Sequence, residues 1–162
     1  MDADLVLLSE SLGSACRQRR LLLATAESCT GGWAAQVITH TAGSSEWFER
    51  GFVTYSNEAK VELLGVSPEI LAQFGAVSPE TAAAMAEGAL KNSNALISLA
   101  ITGIAGPTGG SPGKPVGTVC FAWCRAGETA NTETGVFAGD REAVRRQAVI
   151  QALQGLLLRL DT

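Results

Sequence analysis

The segment Ala95-Leu96-Ile97-Ser98-Leu99-Ala100-Ile101-Thr102 is apolar at nearly every position and lacks the alternation that would give a strand one wet face. A run of this kind is a strand covered on both faces, which in turn requires helices on both sides of its sheet. Leu21 to Ala26 has the same character. The sequence around these two runs supplies the helices.

Leu5, Leu8, Leu12, Ala15 and Cys16 recur at helical spacing ahead of the first buried strand, and Gly31 to Thr41 reads as a second helix after it. Gly43-Ser44-Ser45 reads as a loop, and Gly51 to Tyr55 as a strand. Asn57 to Leu64 suits a short helix stopped by Gly65. Ser67-Pro68-Glu69 and Ser78-Pro79-Glu80 each put a capping hydroxyl, a proline and an acid where a helix begins, and the second helix runs to about Lys91. Val116 to Cys124 and Thr132 to Phe137 suit adjacent strands joined through Ala126-Gly127-Glu128. Asp140 caps a last helix whose buried face is read as Ala143, Ile150, Leu153, Leu156, Leu157 and Leu160. Strands alternating with helices first, then paired strands, imply an α/β fold: a three-layer α/β/α single domain over residues 1–162 with a mixed, mostly parallel sheet.

With 12 basic against 16 acidic residues, the formal charge of -4 offers nucleic acid no electrostatic footprint. Arg17, Arg19 and Arg20 are the solvated end of the first helix. No apolar stretch approaches the roughly 20 residues of a membrane span, and the N-terminus lacks a basic region followed by an apolar one, so the expected setting is the cytoplasm. Cys16, Cys29, Cys120 and Cys124 form no Cys-x-x-Cys pair, and His40 is the lone histidine. Reduced thiols, no metal and no cofactor are therefore expected. Cys120 and Cys124 share one strand face and read as core.

Three strand ends carry polar or glycine-rich turns: Glu27-Ser28-Cys29-Thr30-Gly31-Gly32, Tyr55-Ser56-Asn57 leading to Lys60, and the loop from Thr102 to Lys114. Carboxyl ends of parallel strands gather ligand-binding residues, so the three turns point to one shared site. In the first turn Ser28 either caps the following helix or stands as a nucleophile, with main-chain N–H groups and a helix N-terminus able to hold an oxyanion or phosphate. Cys29, if exposed at that helix start, is a rival nucleophile. The glycine-rich loop lacks the Walker spacing, since Thr108 and Pro115 stand where glycine and serine or threonine would be needed, and Gly103-Ile104-Ala105-Gly106 lacks the Gly-x-Gly of a dinucleotide fold.

A serine nucleophile needs a base. His40 lies at the far end of the second helix, about 15 Å or more away, so it is a poor partner. Lysine is the other choice, and the chain has Lys60, Lys91 and Lys114. Lys60 is either a surface lysine or, one turn into a helix at a strand end, a partly buried base of lowered pKa. Tyr55 either packs with a wet hydroxyl or relays a proton beside Lys60. Thr102, a strand-end hydroxyl, would hold a leaving group or carbonyl if it faces Ser28. Glu27 is a turn residue or a buried acid orienting the lysine.

Ala26-Glu27-Ser28-Cys29-Thr30-Gly31-Gly32, Phe52-Val53-Thr54-Tyr55-Ser56-Asn57-Glu58-Ala59-Lys60, Gly75-Ala76-Val77-Ser78, Ile101-Thr102-Gly103-Ile104-Ala105-Gly106-Pro107, Lys114-Pro115-Val116-Gly117-Thr118-Val119 and Gly139-Asp140-Arg141 occur in that order. Together they resemble the CinA C-terminal-domain family of bacterial nicotinamide-nucleotide amidohydrolases, over almost the whole chain. The resemblance implies hydrolysis of nicotinamide mononucleotide, a small-molecule substrate, to nicotinate mononucleotide and ammonia. It implies Ser28 as nucleophile and Lys60 as general base, with Tyr55 and Thr102 completing the relay. Substrate contacts are expected from Glu27, Thr30, Gly31 and Gly32 in the first turn and from Asn57. Gly103, Ala105 and Gly106 in the glycine loop and Arg141 are expected to contact it as well, while Arg145 reads as a solvated helix face. The family also occurs as the second half of a longer competence-associated protein, and this chain resembles the stand-alone form. The competing reading is a non-catalytic nucleotide-binding module; a homo-oligomer is compatible with either.

Overall fold

A computed structural model describes residues 1–161. In chain order the elements are α1 (Ala3–Arg19), β1 (Leu23–Glu27), α2 (Trp33–His40), a 3-10 turn (Ser44–Glu46), β2 (Phe48–Val53), α3 (Asn57–Leu64), α4 (Pro68–Phe74), α5 (Pro79–Lys91), β3 (Ile97–Gly103), β4 (Thr118–Arg125), β5 (Asn131–Val136) and α6 (Arg141–Leu160). The strands form one sheet in the order β2-β1-β3-β4-β5. The first three are parallel, whereas β4 and β5 add antiparallel to β3. This is the three-layer mixed sheet that the strand pattern implies. Among the described residues no helix is long and apolar enough to cross a membrane.

The two faces of the sheet differ in side-chain size. Leu23, Ile97, Leu99, Ile101, Val119, Phe121 and Trp123 pack with α1, α2 and α6, while Ala24, Ala26, Ala100, Cys120, Ala122 and Cys124 pack with α5 and with Leu64 and Val66 at the end of α3. Period-2 alternation along β4 separates the two sets, and Cys120 and Cys124 lie in the core as expected. Small residues let α5 lie close to the sheet. That closeness extends to α3, because a Cβ at Gly88 of α5 would sit 2.0 Å from the Leu64 carbonyl oxygen.

Several boundaries differ from the expected ones for local reasons. Gly31 and Gly32 take positive φ of 59° and 99°, so α2 begins at Trp33 instead of Gly31. Ser44–Glu46 forms a 3-10 turn where a plain loop is expected. β2 starts earlier and ends at Val53; the Thr54 amide still bonds the Glu27 carbonyl at 2.8 Å, but Thr54 and Tyr55 then turn their own carbonyls elsewhere. The inward face of α6 runs through Val144, Ala148, Val149 and Ala152 to Leu153, Leu156 and Leu160, leaving Ala143, Ile150 and Leu157 half-buried. Gly155 on that face admits the Trp123 ring, whose Nε1 donates to the Ala152 carbonyl at 2.9 Å.

Gly88→Ala should lower stability by about 1–3 kcal/mol through overpacking against α3, read as a fall in the urea or thermal midpoint. Gly113→Ala, where an added Cβ meets nothing within 4 Å, should stay within about 0.5 kcal/mol of the parent.

Candidate active site

The first turn owes its shape to a buried acid. Glu27 is fully buried at the end of β1 and accepts hydrogen bonds from Thr30 Oγ1 at 2.7 Å and from the Ala34 and Ala35 amides at 2.8 and 3.0 Å. Its carboxylate thus caps α2, where the helix dipole also favours a negative charge. Arg145 of α6 closes the turn from the other side: Nε donates to the Cys29 carbonyl at 3.0 Å and Nη2 to the Thr30 carbonyl at 3.3 Å. Its guanidinium lies 5.5 Å from the Trp33 ring centre. The Ser28 amide bonds the Ile101 carbonyl of β3 at 3.0 Å, and the Ser28 carbonyl takes the Gly31 amide at 3.0 Å. Every one of these contacts is tertiary or depends on the glycine turn.

Lys60 reaches the same point from α3. Ser56 caps that helix by accepting from the Ala59 amide at 3.0 Å, which places Lys60 in its first turn directly beneath the end of β2. Its Nζ lies 2.8 Å from the Thr54 carbonyl, 3.1 Å from the Tyr55 carbonyl and 3.0 Å from Ser28 Oγ. The residue is 1% exposed, and no carboxylate forms an ion pair with it among the described residues. Burial therefore lowers its pKa from the ordinary lysine value. The amine donates to all three oxygens, and the Ser28 hydroxyl itself lies 3.5 Å from the Tyr55 carbonyl. A neutral amine would keep its two N–H bonds on the carbonyls, which can only accept, and turn its lone pair to the Ser28 hydroxyl.

Ser28, Lys60, Tyr55, Thr102 and Gly103 line one cavity of about 210 Å³ with Cys29, Ala76 and Val77. The three strand ends therefore do converge. The remaining expected residues behave differently. Cys29 is buried, and burial pushes its thiol up to about 11, the reverse of an activated thiol. The Tyr55 hydroxyl is not beside Lys60; it meets Arg141 Nη2 at 3.2 Å, and it is the Tyr55 carbonyl that holds the amine. Thr102 donates its hydroxyl to the Ala76 carbonyl at 2.7 Å instead of facing Ser28. Glu27 and Thr30 are occupied in the helix cap and orient no lysine. Asn57 is exposed in the first turn of α3, outside the cavity lining.

At the cavity's edge Arg141 joins two of the three segments. Its Nη1 donates to the Gly106 carbonyl at 2.7 Å while Nη2 holds Tyr55, so the guanidinium ties the glycine loop to the end of β2. Gly106 adopts φ 85°, Ala105 beside it is buried, and Gly31 and Gly32 serve the turn by their backbone conformation. Arg145, expected as a solvated face, is half-buried and structural; a helical position gave no hint of the carbonyls it meets. Ala76 and Val77 stand within the Gly75-Ala76-Val77-Ser78 motif, and no side-chain chemistry marks them as site residues. Among the described residues no group of three His, Cys, Asp or Glu side chains is placed to hold a metal ion.

Comparison with known proteins agrees with this architecture. A protein from Escherichia coli strain K12 named nicotinamide-nucleotide amidohydrolase PncC is 57% identical over 155 residues, covering 96% of this chain and 94% of its own length. A Pseudomonas putida protein of the same name is 53% identical over 93% of both chains. The crystal structure of competence/damage inducible protein CihA from Agrobacterium tumefaciens superposes with a TM-score of 0.95 at 42% identity, covering 100% of this chain and 98% of that one. The family model described as CinA C-terminal domain matches residues 6–160, and this chain belongs to that family.

Proposed function

We propose that this chain is a nicotinamide-nucleotide amidohydrolase that works as one domain by serine–lysine catalysis, converting nicotinamide mononucleotide to nicotinate mononucleotide and ammonia. One observation carries the reading: a buried lysine amine, without a carboxylate partner among the described residues, 3.0 Å from a serine hydroxyl at the mouth of the sheet. The names and high identity of the relatives support the substrate.

An amide is a weak electrophile with a poor leaving group, so the site has to supply a strong nucleophile and a proton for nitrogen. Neutral Lys60 takes the proton from Ser28 Oγ as that oxygen bonds to the carboxamide carbon, and the carbonyl electrons move onto oxygen. When the tetrahedral adduct collapses, Lys60 returns the proton to nitrogen, the C–N bond breaks and ammonia leaves. Lys60 then takes one proton from water as its oxygen attacks the acyl-serine; collapse returns that proton to Ser28 Oγ and frees the carboxylic acid, which gives its remaining proton to the released ammonia and leaves as the carboxylate. Arg141, exposed at the cavity rim between Tyr55 and Gly106, is the candidate anchor for the nucleotide phosphate. The reaction calls for no metal, nucleic acid or membrane, and a reducing cytoplasm suits the four free thiols.

Ser28→Ala should reduce ammonia release by more than about 10³-fold, because the acyl-enzyme route is lost. Lys60→Met, which keeps the apolar stem, should reduce kcat by about 10²–10⁴-fold. Parental rates in both variants would sink the mechanism, and nucleotide binding without turnover by the wild-type chain would favour a sensing module instead.

Because attack needs the neutral amine, kcat/KM should climb with pH and level off above the Lys60 pKa. Burial lowers that value, so the plateau should be reached below the ordinary lysine value of 10.5. A profile still climbing at that pH would contradict the assignment.

Cys29→Ala should keep full activity, since a thiol pushed up to about 11 holds its proton at neutral pH.

A further inference from the structure

In the nucleophile turn the Ser28 amide is engaged with the Ile101 carbonyl and the Gly31 amide with the Ser28 carbonyl, while no bond among the described residues engages the Thr30 and Gly32 amides. A further main-chain donor stands across the cavity, in the Gly75–Val77 segment between α4 and α5.

Three consecutive carbonyls there are tied by side chains from separate places. Phe74 is held by Lys114 Nζ at 2.8 Å and Ala76 by Thr102 Oγ1 at 2.7 Å. The Gly75 carbonyl takes the Thr81 hydroxyl at 2.7 Å and lies 3.1 Å from that of Ser78, both buried in the first turn of α5. In a trans peptide the N–H is antiparallel to the C=O. The Ala76 N–H, which shares its plane with the Gly75 carbonyl, is therefore aimed away from α5, and Ala76 itself lines the cavity beside Ser28 and Lys60. No hydrogen bond among the described residues engages that amide. The Val77 N–H is opposed to Thr102, part of the cavity wall, and so is turned away from it.

We propose that the main-chain N–H of Ala76 is an oxyanion-hole donor for the amide hydrolysis, with Thr81 and Ser78 as positioning residues that lock its peptide plane from behind. The proposal rests on the serine–lysine reading above and adds to it a donor from outside the nucleophile turn. Such a donor needs no reorganisation as charge develops, because two hydroxyls already fix its direction.

The test replaces Ala76 by lactic acid through nonsense suppression, turning the amide N–H into an ester oxygen, and follows ammonia release from nicotinamide mononucleotide. The expected result is a fall in kcat of about 10²–10³-fold, with KM little changed. Thr81→Val, which leaves every amide in place, should lower kcat in the same sense without raising KM, and Thr81→Ser should restore it. The proposal is overturned if the ester chain keeps kcat within about threefold of the parent, or if Thr81→Val and Thr81→Ser behave alike, while Ser28→Ala is inactive. A wild-type chain that releases no ammonia would instead refute the amidohydrolase reading beneath it.

Discussion

A lysine amine held away from water among three neutral oxygens organises this molecule. Lys60 Nζ ties the first turn of α3 to the carbonyls that follow β2 and to the hydroxyl that follows β1. A charged amine at this place meets no carboxylate among the described residues, so burial favours the neutral form, which is the form a base requires. The contact that joins the segments also sets the chemistry.

Around that contact the structure keeps other charges at a distance by giving each a separate task. Glu27 is adjacent in sequence to Ser28, yet its carboxylate is turned into the start of α2 and satisfied by three donors. Arg145 points at the back of the turn and engages carbonyls there. An acid brought against Lys60 would raise its pKa and hold its proton. A cation brought close would lower the pKa further, but it would compete for the same carbonyls. The helix cap and the arginine clamp therefore shape the turn without perturbing the amine.

The size difference between the two sheet faces makes this geometry attainable. Alanine and cysteine on one face draw α5 close, and Gly88 lets α3 approach α5 until backbone meets backbone. Bulkier side chains at these places would lift α3 away from the sheet, and Lys60 with it. Close packing on that face is thus a condition for the Ser28 contact, since a protein interior transmits small displacements.

By itself the sequence determined the three-layer fold, through two runs without a polar side, the capped helices of Ser67-Pro68 and Ser78-Pro79 and the paired strands before the last helix; these are local signals of period and capping. It also narrowed the chemistry to Ser28 and Lys60, because few residues capable of it stand at strand ends, and the resemblance to a family supplied a substrate. Only the tertiary structure decided what each neighbour does. Tyr55 acts through its carbonyl, Thr102 through Ala76, Glu27 through a helix cap and Arg145 through the turn, and Cys29 is buried. A residue type states which bonds a side chain is able to make, whereas its partner depends on segments far away in the chain. The 3.0 Å between Ser28 and Lys60 spans 32 positions, and no local rule carries that distance.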